Sequence, residues 1–118
     1  MVSLKVEMTP FRMTLNKTKS VELMVQVEND GAKERLISLE IILDNQLAFD
    51  KQGRTNAIAR KIGLMQPKER FVEYFNVFPK MNIVDGEHKI FVTTMEHFEN
   101  NYEYILSKKT KQIDLIVD

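Results

Sequence analysis

The sequence predicts an all-β sandwich, and three observations carry that prediction. The first is period-two alternation between Lys19 and Asp44, a stretch that reads KSVELMVQVENDGAKERLISLEIILD. Val21, Leu23, Val25 and Val27 alternate there with Glu22, Met24, Gln26 and Glu28, as in a strand with one buried and one wet face. The second is a matching run after Asn29-Asp30-Gly31, with Ile37, Leu39, Ile41 and Leu43 on one side. Asn, Asp and Gly tolerate positive φ and bond to their own backbone, so they end a strand. The third is spacing: strand-like runs recur about every ten residues, and no helix of normal length is evident. The expected architecture is one domain over residues 1–118, with roughly seven to nine antiparallel strands in two sheets joined by Greek-key links.

In chain order, Leu4, Val6 and Met8 alternate with Lys5, Glu7 and Thr9 to give a first strand. Pro10 cannot donate to a ladder, so it marks an edge or a switch between sheets. Phe11, Met13 and Leu15 resume the alternation, and a polar turn from Asn16 to Lys19 leads into the first central strand. The second central strand runs from about Glu34 to Leu43, followed by a short return strand at Gln46–Phe49 and a loop from Lys51 to Asn56. Ala57 to Met65 reads as an edge strand, with a helical turn at Ala57 to Lys61 as the alternative.

Phe71 to Phe78 is rich in aromatic and β-branched residues and reads as strand. Phe71, Glu73, Phe75 and Val77 occupy one face and Val72, Tyr74, Asn76 and Phe78 the other, so neither face declares itself the buried one. Pro79 ends this strand, and Asp85-Gly86 makes a tight turn. His88, Ile90, Val92 and Thr94 alternate with Lys89, Phe91, Thr93 and Met95. Glu96 to Tyr104 reads as a long loop, and the last strand spans about Ser107 to Val117.

Composition removes several function classes. The 118 residues and 43% hydrophobic content suit one ordinary globular core. The 17 basic and 17 acidic residues cancel, so no global field draws nucleic acid or an anionic membrane. With no Cys, the chain offers no disulfide, thiolate zinc site, iron–sulfur cluster or cysteine nucleophile. Met1 to Lys5 lacks the basic and apolar regions of a secretory signal. No apolar run approaches the ~20 residues that span a bilayer, so no membrane insertion is expected. A native start at Met1 implies a cytoplasmic protein, and excision from a larger exported protein would imply an extracellular or cell-surface one.

Four landmarks occur in order: Val25 to Gly31, Leu39 to Asn45, Asp85 to Ile90 and Glu96 to Tyr102. The series resembles the CARDB-like group (cell adhesion related domain) of immunoglobulin-like domains of archaea and bacteria. That group shows a valine-rich strand ending in an Asn-x-Gly turn, and a Glu-rich loop with paired Asn before the last strand. The resemblance runs from about Leu4 to Val117. His88 stands where an aromatic is common, and the strand before Pro79 lacks the usual Trp. The resemblance implies an immunoglobulin-like sandwich used as a non-catalytic interaction or spacer module, commonly in surface proteins.

Candidate chemistry is sparse. No Gly-x-Ser-x-Gly elbow, phosphate loop or Rossmann glycine pattern occurs, and sequence spacing selects no carboxylate pair, so no catalytic residue or cofactor is assigned. His88 falls on an inward face and reads as a structural histidine; His97 falls in the polar loop and reads as solvated. Glu96, Glu99, Asn100, Asn101 and Glu103 offer oxygens for calcium, but without the Asp-x-Asp-x-Asp-Gly pattern, so no metal site is assigned. A ligand module for carbohydrate or calcium using the 96–104 loop is the alternative function. Lys108, Lys109 and Lys111 beside Tyr102 and Tyr104 could hold single strands of nucleic acid, but read better as a solvated edge guarded by lysine. Asn16-Lys17-Thr18 fits the glycosylation pattern, which matters only in an exported chain.

The most informative oddity is apolar side chains on outer faces. If Ile37 to Leu43 and Ile90 to Val92 point their core residues inward, then Leu36, Ile42, Phe91 and Met95 point outward. In the immunoglobulin-like arrangement their two strands are neighbours, so these four form one patch. A contiguous patch implies a protein partner, with a homodimer as its simplest form. The competing expectation is that the 96–104 loop folds over the same face.

Overall fold

The computed structural model describes residues 1–17, 19–98 and 100–118. Among them are nine strands and no helix. The strands are β1 (Val2–Thr9), β2 (Arg12–Met13), β3 (Val21–Asn29), β4 (Arg35–Leu43), β5 (Leu47–Ala48), β6 (Ala57–Met65), β7 (Arg70–Pro79), β8 (Gly86–His97) and β9 (Ile105–Val117). They form two sheets, one in the order β1-β3-β7-β5 and the other in the order β2-β9-β8-β4-β6. The fold is therefore a two-sheet β-sandwich. All observed pairings are antiparallel except that of β2 with β9, which is parallel.

The alternation read from the sequence fixes the core. Val21, Leu23, Val25 and Val27 of β3 are buried, as are Ile37, Leu39, Ile41 and Leu43 of β4, and the two sets face each other between the sheets. Val77 and Phe75 of β7, Ile90 and Val92 of β8, and Leu115 and Val117 of β9 join them, as do Val2 and Leu4 of β1, Met13 of β2, Leu47 of β5 and Met65 of β6. Pro10 is the switch between sheets. The segment before it pairs with β3 in one sheet and the segment after it with β9 in the other. Phe11, expected to share the alternation of Met13, is instead exposed at the crossing.

Ala57 to Met65 is a strand throughout and borders the five-stranded sheet. Its pairing with β4 slips by one residue: Ile37 faces Gly63 while Ser38 faces Lys61, which leaves Ile62 extra. Gly63, at φ +103°, takes a conformation that L side chains rarely adopt. The bulge inverts the parity, so Ile58 and Ile62 before it and Met65 beyond it all pack on the core.

The ambiguity of β7 is resolved in favour of Phe71, Glu73, Phe75 and Val77 facing inward, with Val72 and Tyr74 exposed. The inward Glu73 is stabilised by Arg60 of β6, whose Nε lies 3.2 Å from both carboxylate oxygens and whose Nη2 lies 3.1 Å from Oε2. Arg60 also sits 5.6 Å from the centroid of the Phe75 ring. One ion pair thus bridges the sheets where both run out into edge strands.

Two boundaries differ from expectation for one reason. β8 continues through Glu96 and His97, and β9 begins at Ile105, so the connection is only 98–104. The hairpin absorbs the mismatch with a second bulge, because Glu96 faces Ser107 while His97 faces Ile105. A polar Glu-His pair read as loop is strand because each side chain is buried against a partner: Glu96 pairs with Arg35 and the Met1 amino group, and His97 meets the buried Ser38.

Asn29 does more than end β3. It is fully buried, and its Nδ2 donates to the carbonyls of Lys33 and Met65, both at 2.9 Å. Its Oδ1 accepts from the Gly31 amide at 3.0 Å, and its own amide donates to the Glu69 carbonyl. One side chain therefore ties the β3–β4 turn to the end of β6. Asn29→Ala strands these groups, and the expected loss of unfolding free energy is about 2–4 kcal/mol by denaturant titration. A loss below about 0.5 kcal/mol contradicts this role.

Candidate functional site

The outer face of the five-stranded sheet is laid out by register. One row across it reads Ala57, Ile42, Phe91 and Gln112, and the next Ala59, Glu40, Thr93 and Thr110. A third reads Lys61, Ser38, Met95 and Lys108, and the last Leu64, Leu36, His97 and Ile105. Ile42 and Phe91 are direct cross-strand neighbours and are 41% and 37% exposed. Met95 is half-buried. Leu36 departs from the expected patch: it lies on this face but is 7% exposed, between Leu64 and His97. The four residues therefore split into an exposed pair, a half-buried neighbour and a buried end.

The buried end is closed by the 98–104 connection. The Tyr102 ring meets the His97 ring edge-on at 5.0 Å, and Lys61 Nζ lies 5.2 Å from the Tyr102 centroid. Tyr102 thus forms a wall, and small residues make a hollow beside it. Ser38, Ala59, Met95 and Ile105 line the hollow together with the charged residues Glu40, Arg60 and Lys61. The groove holds about 590 Å³, a size that suits a partner's apolar side chain or a small molecule.

His97 was expected to be solvated and is instead 5% exposed within β8. Its Nε2 lies 2.6 Å from Ser38 Oγ, and its Nδ1 is buried without a hydrogen-bond partner among the described residues. Thr94 Oγ1 donates to the Ser38 carbonyl at 3.2 Å. A serine hydroxyl on an imidazole is the start of a nucleophile pair, but that chemistry also requires a group orienting the second ring nitrogen. No carboxylate meets His97 Nδ1 among the described residues. The contact does satisfy two polar groups that β4 and β8 bury together.

The other candidates fall elsewhere. His88 is buried on the inner face, as expected, and its Nε2 donates to the Val84 carbonyl at 2.7 Å. Its Nδ1 is 3.5 Å from Asp44 Oδ2. Glu96 is buried and lies 3.6 Å from Arg35 and 3.5 Å from the Met1 amino group, so its oxygens are engaged away from the 98–104 connection. Asn101 Oδ1 accepts from the Glu103 amide, which closes a local turn. Glu99 and Thr18, the latter in the glycosylation triplet, lie outside the described residues. Among the described residues no three acidic, histidine or cysteine side chains are placed to hold a metal ion. Lys108, Lys109 and Lys111 are exposed along β9. At the far end of the sandwich, the amides of Thr55 and Arg54 donate to Asp50 and hold its carboxyl below the usual range.

Sequence reading did not single out Ser38, and it set Tyr102 beside the lysines rather than against His97, because both contacts with His97 appear only once the strands and the 98–104 connection are placed. A cue was present: Ser38 is the one polar outer-face residue of β4 too short to reach past its neighbours to water.

No protein-family model and no curated protein matches the chain. Solved structures do match in shape. The major pilin subunit of Bacillus cereus aligns over 99% of this chain at TM-score 0.69 and 12% identity, and this chain spans 40% of that pilin. A FixG-related protein from Vibrio parahaemolyticus aligns over 99% of this chain and 96% of its own length, at TM-score 0.56 and 9% identity. AvmM, which catalyses macrocyclisation in alchivemycin A biosynthesis, aligns over 97% of this chain and 88% of its own, at TM-score 0.59 and 10% identity. Identities this low establish a shared fold and nothing of function.

The Ser38–His97 contact has a measurable weight. Ser38→Ala leaves a buried ring nitrogen unpaired, and the expected cost is about 1–3 kcal/mol of unfolding free energy. An unchanged melting midpoint would show that the pair bears no structural load.

Proposed function

We propose that this chain is a non-catalytic protein-interaction module with an immunoglobulin-like Greek-key arrangement, docking a partner on the outer face of its five-stranded sheet. The observation that carries the reading is the pair Ile42 and Phe91, side by side and exposed on the face that also holds the groove at Tyr102, with the Glu40–Thr93 row between pair and groove. Isolated exposed apolar residues are ordinary, but adjacent ones sharing a face with a hollow supply the anchor and pocket of an interface core.

A second copy of the chain is the partner proposed for this face. The row Ala57, Ile42, Phe91 and Gln112 carries no charge, while the rows flanking it hold Glu40 on one side and Lys89 and Asp114 on the other. Apposing two such rows about a two-fold axis buries an uncharged strip and leaves the charged residues at its rim, as an isologous interface with an apolar centre requires. The CARDB-like resemblance and the placement of β1 and β2 in different sheets support the immunoglobulin-like arrangement.

Light scattering from about 10 μM to about 1 mM tests this. The expected result is concentration-dependent dimerisation that Phe91→Asp weakens at least about tenfold, with melting unchanged because Phe91 is already partly in water. A monomer across the range, or a dimer indifferent to Phe91→Asp, contradicts the reading.

A further inference from the structure

We propose that the open edge of β9, from Ile105 to Asp114, is a docking strand for an extended acidic segment of another protein, which adds to the five-stranded sheet by backbone pairing. This site is separate from the outer face and does not depend on it.

The edge is vacant because of how the chain is routed. β9 has 13 residues and is held by β8 along its length, from Gly86 opposite Val117 to His97 opposite Ile105. On its other side it meets β2, which pairs only with Ile116 and Val117. The residues before β2 cannot extend that pairing, because at Pro10 the chain leaves for the other sheet, where β1 pairs with β3. Among the described residues no strand pairs with Ile105 to Leu115 on this side. In an antiparallel ladder every second residue turns its N–H and C=O away from the existing partner. From Ser107 to Asp114, beyond the bulge at Leu106, these groups form a preformed template in regular register, and β2 shows that the same edge accepts a strand.

Charge selects the occupant. Lys108, Lys109 and Lys111 are exposed on this stretch, whose sole acidic residue is Asp114 at its far end. Pairing with a second copy would set lysines against lysines, the device by which edge strands resist self-association. An acidic strand meets the same lysines with opposite charge. The inner side also has room. A cleft of about 220 Å³ lies between the start of β1 and the edge, bordered by Thr94, Glu96, Ser107, Lys108 and Lys109; Glu96 is already paired with Arg35 and the Met1 amino group, and Lys109 Nζ reaches across to the Val2 carbonyl at 2.9 Å. Val6 and Met8 of β1 are only partly buried against the core on this side. Alternate side chains of an added strand would cover them, so the matching segment alternates acidic with apolar residues.

The test is amide hydrogen exchange with an end-capped eight-residue peptide of alternating glutamate and valine. The expected result is slowed exchange across 105–114, weakening as salt is raised. Lys108→Glu, Lys109→Glu and Lys111→Glu together should abolish that protection and transfer it to a lysine–valine peptide. Phe91→Asp should leave it intact, so this proposal and the outer-face reading fail separately. Melting of the triple variant confirms that it folds, as exposed positions predict. No protection at about 1 mM peptide overturns the proposal. So does equal protection by a peptide with proline at alternate positions, which cannot pair, or protection by the protein alone as its concentration rises.

Discussion

The interlocking of β3 and β4 across the sandwich is the constraint on which everything else rests. Four residues from each strand meet in the interior between the sheets, and every one is buried. Apolar burial is worth about 25 cal/mol per Å², so eight such side chains outweigh any single polar contact in the molecule. The register of these strands then sets that of their neighbours. It places Ile90 and Val92 inward on β8 and forces the bulge at Ile62 that returns Met65 to the core. Where the interior runs out, Arg60 and Glu73 replace packing with a partly exposed ion pair, which contributes orientation more than energy.

A committed interior leaves function to the skin, and the two outer faces differ. On the four-stranded sheet, Lys5 and Glu7 pair with each other, as do Glu28 and Arg70, and exposed Tyr74 and Val72 sit among charges. On the five-stranded sheet, Ile42 and Phe91 have uncharged cross-strand neighbours in Ala57 and Gln112, and a groove lies further along the same face. Desolvating the first face would cost its ion pairs, whereas desolvating the second releases water from apolar surface. The edges differ as well. β6 is bulged in its middle and backed by Arg60, while β9 keeps regular register with β8 over Lys108 to Asp114 and, among the described residues, has no partner strand on its other side there. Surfaces so unequal are how a plain sandwich acquires distinct binding sites without altering its core.

Much of this was legible in the residues. Period-two alternation named the buried faces of β3, β4 and β8, because a half-buried strand leaves no other pattern. Pro10 announced the switch between sheets because it lacks the donor that a continuous ladder needs. The reading failed where polarity was taken for exposure. Glu96 and His97 look like loop residues, but an ion pair with Arg35 and a contact with Ser38 bury them within β8. Leu36 looked like an exposed member of the patch, but it lies beside His97, against which Tyr102 packs. Such partners stand 59 or more residues apart in some cases, and local sequence carries no signal for them. The face of β7 was undecidable for a similar reason: Glu73 points inward only because Arg60 reaches it from another strand.

Native-state amide exchange, resolved residue by residue, tests the central claim most directly, that the inner faces of β3 and β4 hold the whole fold. The account predicts that the amides around Val25 and Ile41 are the slowest in the chain and exchange only through global unfolding, while in the 50–55 loop the amides of the exposed residues Lys51 and Gln52 exchange freely. Exchange at Val25 and Ile41 as fast as in that loop would contradict it.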